Sequence, residues 1–438
     1  MTPRVESPAE EKLIRALGVP ALTANIVNST VGAGIFVLPA LVAKILGPAA
    51  PFAFLVCAFA MVIFVTCFAI AGSRVSLTGG LYAYVEAAFG RYAGFLAGIL
   101  YAITAISAVA GIGNVLVDSI AGLVPLLGNA VLRVVVMFLV YGVLALLNIR
   151  SVRAGAGAVG AVTAAKLLPL VIFVGVGIFF LRPENLAWPS LPESQPLGDA
   201  VLRLIFAFVG IEVALIPSGE VKNPVRTVPR AIYLALAVTT ILYLMIQLVA
   251  QGTLGTKLAE SPNTPLAEAA SHFLGNFGHT LMIVGATISA FGFITSDILS
   301  SPRMLFAVGR DGALPKWFAH VHPRYRSPDV AISIYSGLAF ILSVTSSFEG
   351  LVVLSNVAVL LMYLMCCAGV WLLLRRTPLE GERPLSFPGM SIVPGLAIAA
   401  ILWLFWLTKP WDKIINIGAI LAAASVLYLA RAKLRRQS

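Results

Sequence analysis

The chain has 438 residues, 59% of them apolar and 11% charged, and a formal net charge of +11. With a mean hydropathy of +0.97, this excludes an ordinary soluble globular protein and describes a polytopic membrane protein. The basic residues are scattered in short loops between apolar segments, the pattern of the positive-inside rule, so the charge does not signal a nucleic-acid partner.

Apolar segments are predicted at 20–46, 51–72, 83–113, 131–148, 157–181, 200–218, 229–251, 277–307, 329–346, 350–374, 389–408 and 413–431. They make twelve transmembrane helices. The N-terminus mixes Glu6, Glu10 and Glu11 with Arg4, Lys12 and Arg15. It lacks the basic-then-apolar order of a cleaved signal peptide, so the first span is expected to stay. Arg and Lys crowd alternate loops, among them Arg74, Arg150, Arg153, Arg226, Arg324, Arg326, Arg375 and Arg376. Those loops are read as cytoplasmic, as are both termini, which gives a multi-pass protein of the cytoplasmic (inner) membrane in contact with the lipid bilayer.

The first segment is long enough to span a bilayer, which takes roughly 20 residues. At its centre stand Val31-Gly32-Ala33-Gly34-Ile35-Phe36. Two glycines flanking a small residue let the backbone leave helical geometry. Unwound backbone at membrane depth is tolerated only where protein buries it or it lines a cavity. The alternative is a small-residue surface for close helix packing.

The sixth segment repeats the feature in Phe206-Ala207-Phe208-Val209-Gly210-Ile211-Glu212. Interrupted helices at corresponding positions, five spans apart, point to a transporter with inverted repeats. The expected organisation is a cytoplasmic N-terminal segment (1–18), a five-helix repeat (19–181), an extracytoplasmic loop (182–199) and a second five-helix repeat (200–374). A cytoplasmic loop (375–388), two further helices (389–431) and a cytoplasmic C-terminus (432–438) complete it.

A broken helix exposes N–H groups on one side and carbonyls on the other. The amides near Gly34 suit a carboxylate, and carbonyls near Thr30, Phe206 and Val209 suit an ammonium group. Together they match an amino-acid zwitterion. Ala33 has no hydroxyl, so main-chain amides are expected to hold the carboxylate.

Enzymatic chemistry is not supported. No convergent Ser/His/Asp, Cys/His or HExxH set is present. Cys57, Cys67, Cys366 and Cys367 fall in apolar segments without metal-ligand spacing. No metal and no cofactor is expected, and a channel filter sequence is absent.

Three stretches carry a family resemblance. They are Gly32–Pro39; Phe206–Glu212 with Gly219-Glu220-Val221-Lys222-Asn223-Pro224; and Ser300-Ser301-Pro302-Arg303 through Gly309-Arg310-Asp311-Gly312-Ala313-Leu314-Pro315. In this order they resemble the amino acid–polyamine–organocation (APC) superfamily of permeases. The resemblance implies an all-α, LeuT-like fold with a 5+5 inverted repeat, alternating access and secondary transport of L-amino acids. Carried over by position, it places Thr30, Gly32, Ala33, Gly34, Phe206 and Val209 around the substrate, with Phe206 also as the gate. Thr104, Ala105 and Ala108 of the third span would border a small to moderate, largely apolar side-chain pocket.

The same resemblance has Lys166 of the fifth span replace a sodium ion and satisfy freed carbonyls near Gly32. Transport would then be sodium-independent, either proton-coupled or by exchange; snorkelling is the alternative role for this lysine. Glu212 either hydrogen-bonds unwound backbone or titrates during transport. Thr295, Ser296 and Asp297 lie in the eighth span. Asp297 either favours a cationic side chain, as in a polyamine or cationic amino-acid carrier, or has a structural role. Glu220, Lys222, Asn223, Arg303, Arg310 and Asp311 are read as an inner-gate charge network.

Overall fold

The structure is a computed structural model that describes residues 18–74, 80–150, 159–188, 190–212, 221, 224–310, 312, 314–375 and 385–437. Among them, side chains are described except at 159–164, 224–225 and 432–437. Every regular element among the described residues is helical. The α-helices are α1 (Val19–Thr30), α2 (Leu38–Leu46), α3 (Ala50–Gly72), α4 (Leu81–Phe89), α5 (Arg91–Leu123), α6 (Ala130–Arg150), α7 (Val159–Gly177) and α8 (Ser194–Phe208). There follow α9 (Pro224–Leu254), α10 (Pro265–Ser300), α11 (Pro302–Arg310), α12 (Asp329–Thr345), α13 (Phe348–Leu374), α14 (Val393–Thr408) and α15 (Trp411–Gln437).

Seven helical stretches among the described residues are long and apolar enough to cross a membrane: Leu38–Gly72, Arg91–Leu123, Ala130–Arg150, Arg226–Glu260, Pro265–Arg310, Phe348–Leu374 and Trp411–Arg431. Shorter apolar helices run over Ala165–Phe180, Asp329–Thr345 and Val393–Thr408. The first and sixth predicted spans do not appear as continuous helices. Each is cut by its break, which leaves α1, α2 and α8 too short to cross alone.

Other boundaries moved for local reasons. The segment predicted at 83–113 is two helices, α4 and α5, divided at Gly90 with φ of 91°, a conformation that costs glycine little. A break at Gly275 (φ 59°, ψ −149°) divides α10 into two helices, so the segment predicted at 277–307 starts close to where it was expected, and it ends at Ser300 because Pro302 starts a new helix. Proline lacks the N–H that would continue the ladder and fits the first turn of a helix.

Helix faces sort by surroundings. On α6, Val131, Phe138, Leu139 and Leu147 are exposed, as are Trp403 and Trp406 on α14 and Ile415 and Leu429 on α15. Such apolar surfaces suit lipid, whose tails are as apolar as leucine. The interior centres on α5, against which both α10 and α13 pack. On α5 the buried face is built of small residues, including Ala97, Ala105, Ala108, Val109 and Ala110. Small side chains let helix backbones approach closely, and this brings the two breaks to the centre of the bundle.

Candidate substrate site between two helix breaks

α1 ends at Thr30. Val31 (ψ 89°) and Gly32 (φ −102°, ψ −173°) are extended, and a single tight turn, Ala33–Phe36, precedes α2. The N–H of Gly32 donates to the Thr30 carbonyl at 2.9 Å. The extended link cuts the i→i−4 ladder. A new turn then begins, whose first N–H groups have no partner within it.

α8 ends at Phe208. Val209 is extended (φ −61°, ψ 136°), and Gly210 has φ of 106°. The two breaks touch. A Cβ added at Gly210 would stand 2.8 Å from the Ser29 carbonyl oxygen and 3.4 Å from the Thr30 Cα. Only a residue without a side chain fits, both for its torsion and for this approach.

Side chains tie the breaks together. The Tyr243 hydroxyl of α9 faces two carbonyl acceptors, Thr30 at 3.1 Å and Ala207 at 3.0 Å, one on each broken helix. Glu212 accepts at Oε2 from the Gly210 N–H at 3.0 Å and from the Tyr363 hydroxyl at 3.1 Å. Glu212 thus hydrogen-bonds to unwound backbone. The Lys166 ammonium donates to the Asn28 carbonyl at 2.5 Å. The carbonyl expected was one near Gly32. The observed one lies in the last turn of α1, where carbonyls lack intrahelical partners.

Between the breaks lies a cavity of about 40 Å³. Ser29, Thr30, Gly32, Gly34 and Ile35 border it from the first break, and Phe206, Ala207 and Val209 from the second. Ala108 and Ile112 of α5, Tyr243 of α9 and Phe293 of α10 complete it. None of these side chains is ionisable except tyrosine. One molecule's share of liquid water is about 30 Å³, so in this conformation the site is closed down and must widen to hold an amino acid. The ring of Phe206 presses on the first break, since a Cβ on Gly34 would lie 3.0 Å from it. A Cβ on Gly32 would face Phe293 at 4.0 Å.

Of the substrate residues expected from sequence, Thr30, Gly32, Gly34, Ala108, Phe206 and Val209 come together here. Ala33, Thr104, Ala105, Thr295, Ser296 and Asp297 do not border the cavity. Ala33 is fully buried behind the turn. Thr104 lies one turn from Ala108 and donates to its own helix at the Leu100 carbonyl, 2.9 Å away; Ala105 is buried beside it. On α10 the residue that reaches the cavity is Phe293. Thr295 follows by two positions and points to another side of a helix that turns about 100° per residue, and Ser296, three positions on, lies nearly a turn further along the helix and does not border the cavity. Thr295 donates to the Phe291 carbonyl at 2.8 Å, and Ser296 is exposed.

Asp297 likewise does not border the cavity. It stands one turn beyond Phe293, and its carboxylate accepts hydrogen bonds from Ser301, at 2.7 Å, and from Tyr335 of α12. The acid holds α10 to α12. Of the inner-gate expectation, Arg303 and Arg310 lie on α11, while Glu220, Lys222, Asn223 and Asp311 lie outside the described residues.

Sequence reading missed Tyr243 and Phe293. Each sits inside a long apolar run where an aromatic residue is ordinary; Tyr243 has no glycine or charge beside it, and Phe293 follows Gly292, a lone glycine of a kind common in membrane helices.

A bundle of apolar helices with an uncharged cavity between two apposed helix breaks is the arrangement of a membrane carrier for a small polar solute. Residues 17–424 match the family model described as amino acid permease, and the chain belongs to that family of amino-acid transporters. Among its relatives, the serine/threonine exchanger SteT of Bacillus subtilis (strain 168) is 28% identical, over 88% of this chain and 89% of the relative. The branched-chain amino acid permease BcaP of the same organism is 26% identical over 96% and 93%. The arginine/agmatine antiporter of Chlamydia pneumoniae is 28% identical over 90% and 86%.

Proposed function

We propose that this permease carries neutral L-amino acids with small to moderate apolar or hydroxylated side chains by alternating access. The observation that carries the reading is the cavity lining: backbone groups of two broken helices at its ends and uncharged side chains elsewhere. Amides at the start of the Ala33–Phe36 turn meet the substrate carboxylate. The carbonyls of Thr30 and Ala207, now faced by the Tyr243 hydroxyl, meet its ammonium group. Ala108, Ile112 and Phe293 meet the side chain. An arginine or polyamine would leave a charge in this lining without a counter-charge, which is costly.

Lys166 occupies the place of a coupling ion and makes transport sodium-independent, with proton symport or exchange as the mode. The wider organisation that fits is the LeuT-like one: twelve spans in a 5+5 inverted repeat with two further helices, both termini cytoplasmic, in the inner membrane. Lys44, Asp118, Arg133 and Glu349 gather around one broader cavity, and this end of the bundle faces outward. The relatives named for serine and threonine exchange and for branched-chain amino acids agree with a neutral substrate; the arginine/agmatine antiporter represents the cationic choice.

Uptake into proteoliposomes tests the proposal. Labelled threonine, alanine and valine are offered with and without sodium, against unlabelled neutral, basic and amine competitors. Saturable uptake, counterflow, and competition by neutral amino acids alone are expected. Competition by lysine, arginine or agmatine as strong as that by neutral amino acids would overturn the substrate class. A sodium requirement would overturn the role given to Lys166.

A further inference from the structure

Two cavities lie on either side of one aromatic contact. Phe206 borders the small cavity between the breaks. Phe348 borders a broader cavity of about 360 Å³ at the end of the bundle that carries Lys44, Asp118 and Arg133. The two rings meet edge to face, with centroids 6.0 Å apart and planes at 90°.

The same two helices are joined a second time by charge. Arg203 stands three residues before Phe206 on α8, hence on the same face. Glu349 follows Phe348 at the start of α13. Arg203 donates from Nε at 3.1 Å and from Nη2 at 2.7 Å, both to Glu349 Oε1. An apolar tier and an ionic tier therefore close the passage together.

Arg203 has a second partner on its own helix. Its Nη1 donates to the Asp199 carbonyl at 3.0 Å and lies 3.8 Å from the Asp199 carboxylate. If α8 and α13 part, the guanidinium keeps Asp199. Glu349, whose side chain is already 43% exposed, passes to the water of the broader cavity. Neither charge is stranded. A partly exposed pair is weak, which suits a closure that must release in every cycle better than it suits a permanent brace.

We propose that Arg203 and Glu349 form a releasable latch that closes the amino-acid site toward the broader cavity through the Phe206–Phe348 contact. They are positioning residues: they set how often the site opens to that side and do not touch the substrate. The inference rests on reading the cavity between the breaks as the transport site.

The test uses the full-length protein in sealed right-side-out vesicles, with Ala108→Cys as a reporter inside the small cavity. The native cysteines are all buried, and the protein without the reporter supplies the background. A membrane-impermeant thiosulfonate is applied to the Lys44–Arg133 face. Arg203→Gln and Glu349→Gln are each expected to speed labelling about two- to fivefold, the range of an exposed ion pair. The charge-exchanged double variant, Arg203→Glu with Glu349→Arg, should return the rate toward that of the parent. With both native residues present, raising the salt concentration should speed labelling, and Glu349→Gln should remove that dependence. This salt arm stands even where a charge variant fails to fold.

Labelling unchanged in both single variants, no slowing in the exchanged pair, or no salt effect with the native pair would overturn the latch. Labelling requires no transported solute. A protein that shows the latch but transports no neutral amino acid would overturn the substrate assignment alone.

Discussion

Gly210 rests against the backbone of Ser29: a Cβ at Gly210 would meet the Ser29 carbonyl oxygen at 2.8 Å. This contact, backbone on backbone, locks the two helix breaks into one site. Replacing Gly210 with alanine adds a clash to a torsion of 106°, and such strain alone costs about 1–3 kcal/mol. Gly210→Ala should lower thermal stability in detergent and abolish uptake. Gly142→Ala on α6, where a Cβ would meet nothing within 4 Å, is the control and should keep both. Equal behaviour of the two variants would remove the contact from the argument.

Lys166 holds the end of α1 by one charged hydrogen bond to the Asn28 carbonyl. A hydrogen bond with a charged partner contributes about 1.5–3 kcal/mol. Lys166→Met keeps the length and loses the donor, so transport should fall by at least tenfold, and the variant should melt at a lower temperature. The measurement is initial uptake rate and thermal unfolding at equal protein. Wild-type rates in the variant would make Lys166 a surface-seeking side chain and no brace.

Phe293 sets the size of the site. It is the one residue of α10 that borders the cavity, opposite Gly32. Phe293→Ala should let leucine and phenylalanine compete where they compete poorly with the parent. It should also weaken binding of alanine and serine, which lose packing against the ring. Ratios of inhibition constants across a side-chain series read this directly. An unshifted series would place the selectivity elsewhere.

Asp297 is tied to Ser301 and Tyr335 and does not border the cavity. Asp297→Asn should leave the order of competing amino acids unaltered while lowering stability, because the amide nitrogen cannot accept hydrogen bonds as the lost carboxylate oxygen did. A gain or loss of cationic substrates in this variant would return Asp297 to the binding site.

The sequence shows the site unevenly, for physical reasons. The breaks were legible because a glycine pair (Gly32, Gly34) in one apolar span and a glycine with an acid (Gly210, Glu212) in another are conspicuous, and their spacing across the chain pairs them. Lys166 was legible because a charge inside an apolar segment is costly and needs a partner. Its acceptor shifted from the expected neighbourhood of Gly32 to Asn28, since pattern locates a helix end only to within a turn. At Asp297 the sequence left two roles open, because a buried charge demands a partner but composition does not say whether that partner is a ligand or a tyrosine on the next helix. Gly90 and Pro302 divided predicted segments because hydropathy registers apolar content and not the torsions that end a helix. Tyr243 left no trace, since its importance comes from where α9 packs and not from its neighbours in the chain.

The position of Tyr243 has a consequence for how a solute is drawn in. A phenol owns a single hydrogen, and here two carbonyls compete for it. When that hydrogen serves Thr30, the Ala207 carbonyl goes without it, whereas the Thr30 carbonyl also accepts from the Gly32 N–H at 2.9 Å. An arriving ammonium group brings three hydrogens and a full charge to this shortage. In the proposed reading, the substrate's ammonium group serves both carbonyls at once, which the single hydrogen of Tyr243 does not.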